Sequence, residues 1–192
     1  MKLAIFGGTF DPIHNAHLAV AREAADRFQL DRVLFVPAAR PPHKQGGAHA
    51  SYADRVRMAE LACSAEPRFE VSRLEENTER SYSIETIEKL QAQMAPADEL
   101  FFIIGADAFA EVDTWRRWRD VARGVHFLVV SRPGSEYRVP SEARYDRLDN
   151  LRLDISSSAI RRELLAGRTP SDLPPAVLSY IQEHRLYHSA NP

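Results

Sequence analysis

The stretch KLAIFGGTFDPIHNAHLAVA, Lys2 to Ala21, decides the reading of this chain. Leu3-Ala4-Ile5-Phe6 is an apolar run with strand character, Gly7-Gly8 end it, Pro12 sits in a turn, and an apolar-periodic helix follows. A strand that runs through glycines into a helix start is the first half of a βαβ unit. Glycine lets backbone N–H groups approach a ligand, and a helix N-terminus carries partial positive charge and unsatisfied N–H donors. His14 and His17, three apart, are expected on one helical face near that N-terminus. Three roles fit two such histidines: metal ligands, packing residues, or donors to phosphate. Metal is the weakest of the three. HxxH lacks the spacing and glutamate of a zinc protease, and no cysteine lies nearby. No metal held by protein side chains is expected.

Working outward, short apolar runs recur at Val33–Val36, Phe69–Leu74, Leu100–Ile104, Phe127–Val130 and, more weakly, Leu151–Ile155. Between them, residues 17–30, 52–65, 83–94, 115–122, 158–166 and 175–185 have helical periodicity. In the first of these, Leu18, Ala21, Ala25 and Phe28 recur three or four apart, with Arg22, Glu23, Asp26 and Arg27 left for solvent. Alternating strand and helix predicts an α/β fold, a doubly wound Rossmann-like parallel sheet with helices on both faces. The 192 residues suit one domain, 1–192. Two irregular stretches remain, 38–51 and 131–146. In an open α/β sheet the ligand crevice forms from loops at the carboxyl ends of strands, so the first is read either as a lid or as a plain connector.

Bulk chemistry excludes several classes. With 25 Lys+Arg against 27 Asp+Glu, the formal charge of −2 predicts no broad basic face and no nucleic-acid partner. No apolar run approaches the roughly 20 residues of a membrane span, and the four-residue run after Met1-Lys2 is shorter than the about seven of a signal peptide. The single cysteine, Cys63, fits a reducing compartment, so a cytoplasmic protein with no membrane partner is expected.

Two further segments carry phosphate-directed groups. In DISSSAIRRELL, Asp154 to Leu165, one of Ser156, Ser157 and Ser158 caps a helix, and the remaining hydroxyls with Arg161 suit an anion; plain capping beside a surface arginine suits the same residues. In RPPHKQ, Arg40 to Gln45, Lys44 offers a cation on a loop or is simply solvated.

GGTFDPIHNAH, Gly7 to His17, resembles the signature of the nucleotidyltransferase superfamily, whose usual form is G-[GST]-F-D-P-x-H-x-G-H. Ala16 stands where that family has glycine. The serine run resembles the family's I-S-S-T-x-I-R, with Ser158 for threonine, and the lysine segment resembles its P-x-x-x-P-P-H-K. SYSIETIEKL, IIGADAFAEVDTWRRW and VVSRPG then resemble the nicotinate mononucleotide adenylyltransferase family, through Tyr82, Ser83, Thr86, Gly105, Ala106, Asp107, Trp115 and Arg132. The resemblance runs from Lys2 to about Tyr187. It implies transfer of AMP from ATP to nicotinate mononucleotide, with Mg²⁺ on the ATP. It implies ATP-binding roles for Gly7, Gly8, Thr9, Phe10, His14, His17, Lys44, Ser156, Ser157, Ser158 and Arg161. His14, His17, Lys44 and Arg161 would stabilise charge in the reaction, and Thr86, Gly105, Asp107, Trp115 and Arg132 would bind the mononucleotide. The expected assembly is a monomer or small homo-oligomer. Alternative acceptors are nicotinamide mononucleotide and phosphopantetheine, and a non-catalytic nucleotide-sensing module is the alternative from another class.

The chemistry agrees with that resemblance. An anionic phosphate nucleophile needs alignment and charge neutralisation more than a strong base. A cationic pyridinium ring prefers an aromatic face such as Trp115, which the sequence ranks no higher than Trp118. Thr86 and nearby backbone amides are candidate donors to the ring carboxylate, and Asp107 a candidate to receive ribose hydroxyls or to organise the metal-bound nucleotide.

Overall fold

A computed structural model describes residues 1–40, 48–76, 78, 80–132, 134–149 and 154–188. The predicted strand–glycine–helix opening forms as β1 (Lys2–Gly8) followed by α1 (Asn15–Phe28). β2 (Arg32–Pro37), α2 (Tyr52–Cys63) and β3 (Phe69–Val71) complete one half, and α3 (Ser83–Gln91) leads to β4 (Glu99–Gly105). The other half continues through α4 (Ala106–Ala110), a 3₁₀ turn at Val112–Thr114, α5 (Trp118–Gly124), β5 (His126–Val130), β6 (Tyr145–Leu148), α6 (Ser157–Leu165) and α7 (Pro175–Glu183).

The six strands form one parallel sheet in the order β3-β2-β1-β4-β5-β6. This is the doubly wound arrangement, and its order reverses between β1 and β4. Successive residues of the central strands enter opposite cores, which is why their sequences are apolar without alternation. Ala4, Phe6, Val33, Phe35, Phe101 and Ile103 face one core, packed beneath α1, α2, α6 and α7. Leu3, Ile5, Leu34, Val36, Phe102 and Ile104 face the other, beneath α3, α4 and α5.

Three expectations need correction. The helix expected over 115–122 starts only at Trp118 and runs to Gly124, because Val112–Thr114 form a 3₁₀ turn and Trp115 takes an extended backbone. The sixth strand is Tyr145–Leu148, not the apolar run placed at 151–155; residues 151–153 lie outside the described set, and 154–156 are irregular. As an edge strand pairing only with β5, it buries Leu148 alone among its four residues, so it carries no apolar run to detect. The strand expected over 69–74 stops at Val71, because Arg73, Leu74 and Glu75 enter a turn closed by Glu76 N–H donating to the Arg73 carbonyl at 2.9 Å.

Candidate active site

The crevice lies where theory of open α/β sheets places it, at the carboxyl ends of β1 and β4 where strand order reverses. A cavity of about 310 Å³ opens there, walled by the Gly7-Gly8-Thr9 turn on one side and by Thr86, Gly105 and Trp115 on the other. The strand end must stay narrow: a Cβ on Gly8 would come within 2.9 Å of the Phe10 ring. Phe10 itself takes a left-handed φ of 49° and buries its ring edge-on to Phe6, with centroids 5.7 Å apart, and to His17 at 5.1 Å. Its side chain therefore belongs to the core, and only its backbone is left to meet a ligand.

His14 is not on the helical face but is the N-cap of α1, with extended φ and ψ of −147° and 172°. Its N–H donates to His17 Nδ1 at 3.2 Å, and the two rings stack with centroids 3.8 Å apart. That bond makes Nδ1 of His17 an acceptor, so the neutral ring carries its proton on Nε2, free to donate elsewhere. His14 is 4% exposed and its Nδ1 has no partner. Burial pulls the His14 pKa down to about 4. His17 keeps a solvent-accessible edge, yet dense surrounding protein and then the neighbouring His14 hold it well below the ordinary histidine range. Both rings are neutral at physiological pH.

The serine run of α6 reaches the same place across about 145 residues of chain. Ser156 is the N-cap, its hydroxyl accepting from Ala159 N–H at 3.2 Å, while Ser157 donates to the Pro12 carbonyl at 3.0 Å. Arg161 donates to the Asp11 carbonyl at 2.6 Å and to the Ser158 hydroxyl at 3.3 Å. The starts of α1 and α6 are thus stapled together, and their two N-terminal partial charges converge. Lys44 lies outside the described residues. Its loop is fastened at the start, where Ala38 N–H donates to the Gly8 carbonyl at 2.8 Å and Arg40 N–H to Ser81 Oγ at 3.0 Å, and at the end, where His49 and Ala50 N–H donate to Asp11.

Three scaffold residues escaped the sequence reading. Asp11 is 1% exposed and accepts from His49 N–H at 2.7 Å, Ala50 N–H at 3.1 Å and the Tyr187 hydroxyl at 2.7 Å. Burial alone would push its carboxyl pKa up, but these bonds and nearby Arg161 hold it below the usual range. Arg55, also 1% exposed, donates to the carbonyls of Thr9, Ala38 and Ala50, at 2.7, 2.8 and 3.3 Å. One buried guanidinium therefore joins the first site turn to both ends of the 38–51 loop. A signal for it existed: Arg55, Ala59 and Ala62 share the buried stripe of α2, an odd place for a cation. Glu75 lines the cavity and accepts the Thr86 hydroxyl at 3.0 Å, so Thr86 has already committed its proton. Cys63 is buried as expected, and burial pushes its thiol up to about 12, which removes it as a nucleophile.

The residues predicted for the mononucleotide divide between adjoining cavities. Thr86, Gly105 and Trp115 line the first, whereas Gly105, Asp107 and Arg132 line a second of about 560 Å³ beside β4 and β5. Trp115, edge-on to Phe102 with centroids 6.0 Å apart, faces the first cavity; Trp118 is absent from its lining and packs beneath Arg119. Among the described residues, no group of three or more His, Cys, Asp or Glu side chains could hold a metal ion.

A switch-point crevice with two stapled helix starts defines a nucleotide-binding α/β protein, and the sequence profile of the cytidylyltransferase-like family matches residues 5–163. A protein of Solibacter usitatus named probable nicotinate-nucleotide adenylyltransferase is 69% identical over 188 residues, which cover 98% of this chain and 100% of the relative. One of the same name from Citrifermentans bemidjiense is 44% identical, covering 99% and 100%. The chain belongs to this nicotinate-nucleotide adenylyltransferase family. The solved Plasmodium falciparum nicotinic acid mononucleotide adenylyltransferase complexed with NaAD shares the fold, with a TM-score of 0.79 over 97% of both chains at 19% identity.

Proposed function

We propose that this enzyme transfers the AMP moiety of ATP to nicotinate mononucleotide, giving nicotinic acid adenine dinucleotide and pyrophosphate in NAD biosynthesis. An oxygen of the mononucleotide phosphate attacks the α-phosphorus of ATP, a new P–O bond forms, and the bond to the β-phosphate oxygen breaks as pyrophosphate leaves. The observation that carries the reading is the switch-point cavity, with Trp115 at one side and the glycine turn at the other, beside the stapled starts of α1 and α6.

In this reading the two helix starts, the Nε2–H of His17 and Arg161 neutralise charge that grows on the phosphates, a role that their shared location supports. We assign Lys44 to the same task on the family pattern alone. A nucleophile that is already anionic requires no protein base, and neutral imidazoles suit donors better than bases here. Mg²⁺ would arrive with ATP, held by phosphate oxygens and water: the cavity wall offers hydroxyls, backbone groups and Glu75 rather than a cage of carboxylates. When bound, it neutralises phosphate charge. Trp115 receives the pyridinium ring. Because the Thr86 hydroxyl is committed to Glu75, the ring carboxylate falls to backbone N–H groups. The lone buried Cys63 supports a reducing compartment, and we place the enzyme in the cytoplasm. Among the described residues no helix is long and apolar enough to cross a membrane.

The test is pyrophosphate release from Mg-ATP with nicotinate mononucleotide, nicotinamide mononucleotide or phosphopantetheine as sole acceptor. Release dominated by nicotinate mononucleotide is the expected result. Dominant release with another acceptor refutes the acceptor assignment, and ATP binding without release under any condition points to a nucleotide sensor.

A further inference from the structure

Glu75 is a buried carboxylate with half of its bonding capacity unused. Its backbone is pinned in the turn after β3, where its carbonyl accepts from Thr78 N–H at 3.1 Å and from the Thr78 hydroxyl at 2.8 Å. The residue is 8% exposed. Oε1 takes the Thr86 hydroxyl at 3.0 Å, while Oε2 is buried and unpartnered. No ion pair to Glu75 is found among the described residues. Arg55 feels its charge, yet the guanidinium donates to the carbonyls of Thr9, Ala38 and Ala50. Glu75 and Thr86 both line the switch-point cavity, together with Trp115.

An unbonded carboxylate oxygen in such a place is costly to the folded protein and calls for a ligand. Because Thr86 points its only proton at Glu75, the Glu75–Thr86 pair shows incoming molecules lone pairs and negative charge, although Ser81 and Ser83 hydroxyls line the same cavity. A negative wall in one cavity with an indole fits a flat organic cation. The acceptor named above contains one, since its ring nitrogen is bonded to ribose and the ring is a pyridinium.

We propose that Glu75 is a specificity-determining residue whose carboxylate, held by Thr86, is the counter-charge for the pyridinium ring of the acceptor. The inference rests on the adenylyl-transfer reading. It makes a separate claim about selectivity: the acid and amide mononucleotides carry the same ring charge, so Glu75 does not choose between them. It selects both over a ribotide of the same shape with an uncharged ring. The ring carboxylate then lies turned away from Glu75.

The experiment measures KM for nicotinate mononucleotide and for its benzoate C-ribotide analogue, neutral in the ring, with the wild type and Glu75→Gln. Gln keeps the size of the side chain and an oxygen for Thr86 but removes the charge. The wild type is expected to favour the cationic ring about tenfold or more, and Glu75→Gln to raise KM for it by a similar factor. KM for ATP and for the neutral-ring analogue should stay within about twofold, since the lost attraction acts on ring charge alone. An unchanged KM for nicotinate mononucleotide, or an equal rise for both ribotides, overturns the proposal and leaves Glu75 as a support for Thr86. If the variant does not fold, equal wild-type affinity for the two ribotides overturns it as well. A wild type inactive with every mononucleotide refutes adenylyl transfer and this inference with it. An active wild type insensitive to ring charge refutes only the inference.

Discussion

Replacing His14 by Gln should flatten the acid dependence of stability by an amount that follows from its burial. The ring is 4% exposed with an unpartnered Nδ1, and its pKa falls from 6.5 to about 4. The folded state therefore resists a proton that the unfolded chain accepts. The sign follows from linkage: between these pKa values the unfolded state binds more protons, so stability rises with pH. The contribution is whole above about pH 6.5 and is lost as pH falls through about 4. At about 1.4 kcal/mol for each tenfold change in proton affinity, the full difference is about 3 kcal/mol. Roughly 2 kcal/mol of it has gone by about pH 5, where the unfolded imidazole is almost fully protonated and the folded one is not. The measurement is urea unfolding of the wild type and His14→Gln at pH 7.5 and at pH 5, with the protein free of nucleotide. His17 remains in both proteins, and burial is the larger cause of its own depression, so most of its contribution cancels. The wild type should lose about 2 kcal/mol more than the variant over this interval. Parallel losses would refute the claim that the empty site holds His14 neutral by burial, and with it the neutral histidine stack.

Three other outcomes follow from the same geometry. His17→Ala should lower turnover by about a hundredfold or more through loss of a preorganised donor, with an unchanged circular dichroism spectrum; near-wild-type turnover would count against the phosphate grip. Trp115→Ala should raise KM for the mononucleotide about tenfold while Trp118→Ala leaves it alone, and the reverse pattern would move the ring to the other tryptophan. Arg55→Met should cost about 3 kcal/mol in urea unfolding, because it leaves one buried and two part-buried carbonyls without their shared donor; a loss near zero would show that the loops hold themselves in place.

The central strands were legible because burial on both faces writes itself as unbroken apolar runs, and α1, α2, α3, α6 and α7 began and ended within a few residues of their periodic segments. α4 was invisible: five residues, Ala106–Ala110, make too short a window for a period, and the expected 115–122 helix became a 3₁₀ turn followed by Trp118–Gly124. Edge strand β6 was misplaced for want of a buried face. At the site, the glycines, the histidine pair and the serine run announced themselves through residue type and local spacing. Asp11 and Glu75 did not, since an acidic residue that accepts buried hydrogen bonds looks in sequence like one in solvent.

By itself, then, the sequence determined the α/β class and the strand that leads into the first helix, and it marked three separate segments as candidates for phosphate contact. These are local properties: periodicity, caps and glycines act over a few residues, and a family pattern is a record of them. Only the tertiary structure decided that Ser157 meets Pro12, that Tyr187 meets Asp11, that Trp115 and not Trp118 walls the cavity, and that the Thr86 proton belongs to Glu75. Those partners lie from 11 to 176 residues apart in sequence. What joins them is the burial of polar groups that must then find one another, a condition imposed by packing the whole chain and by no segment alone.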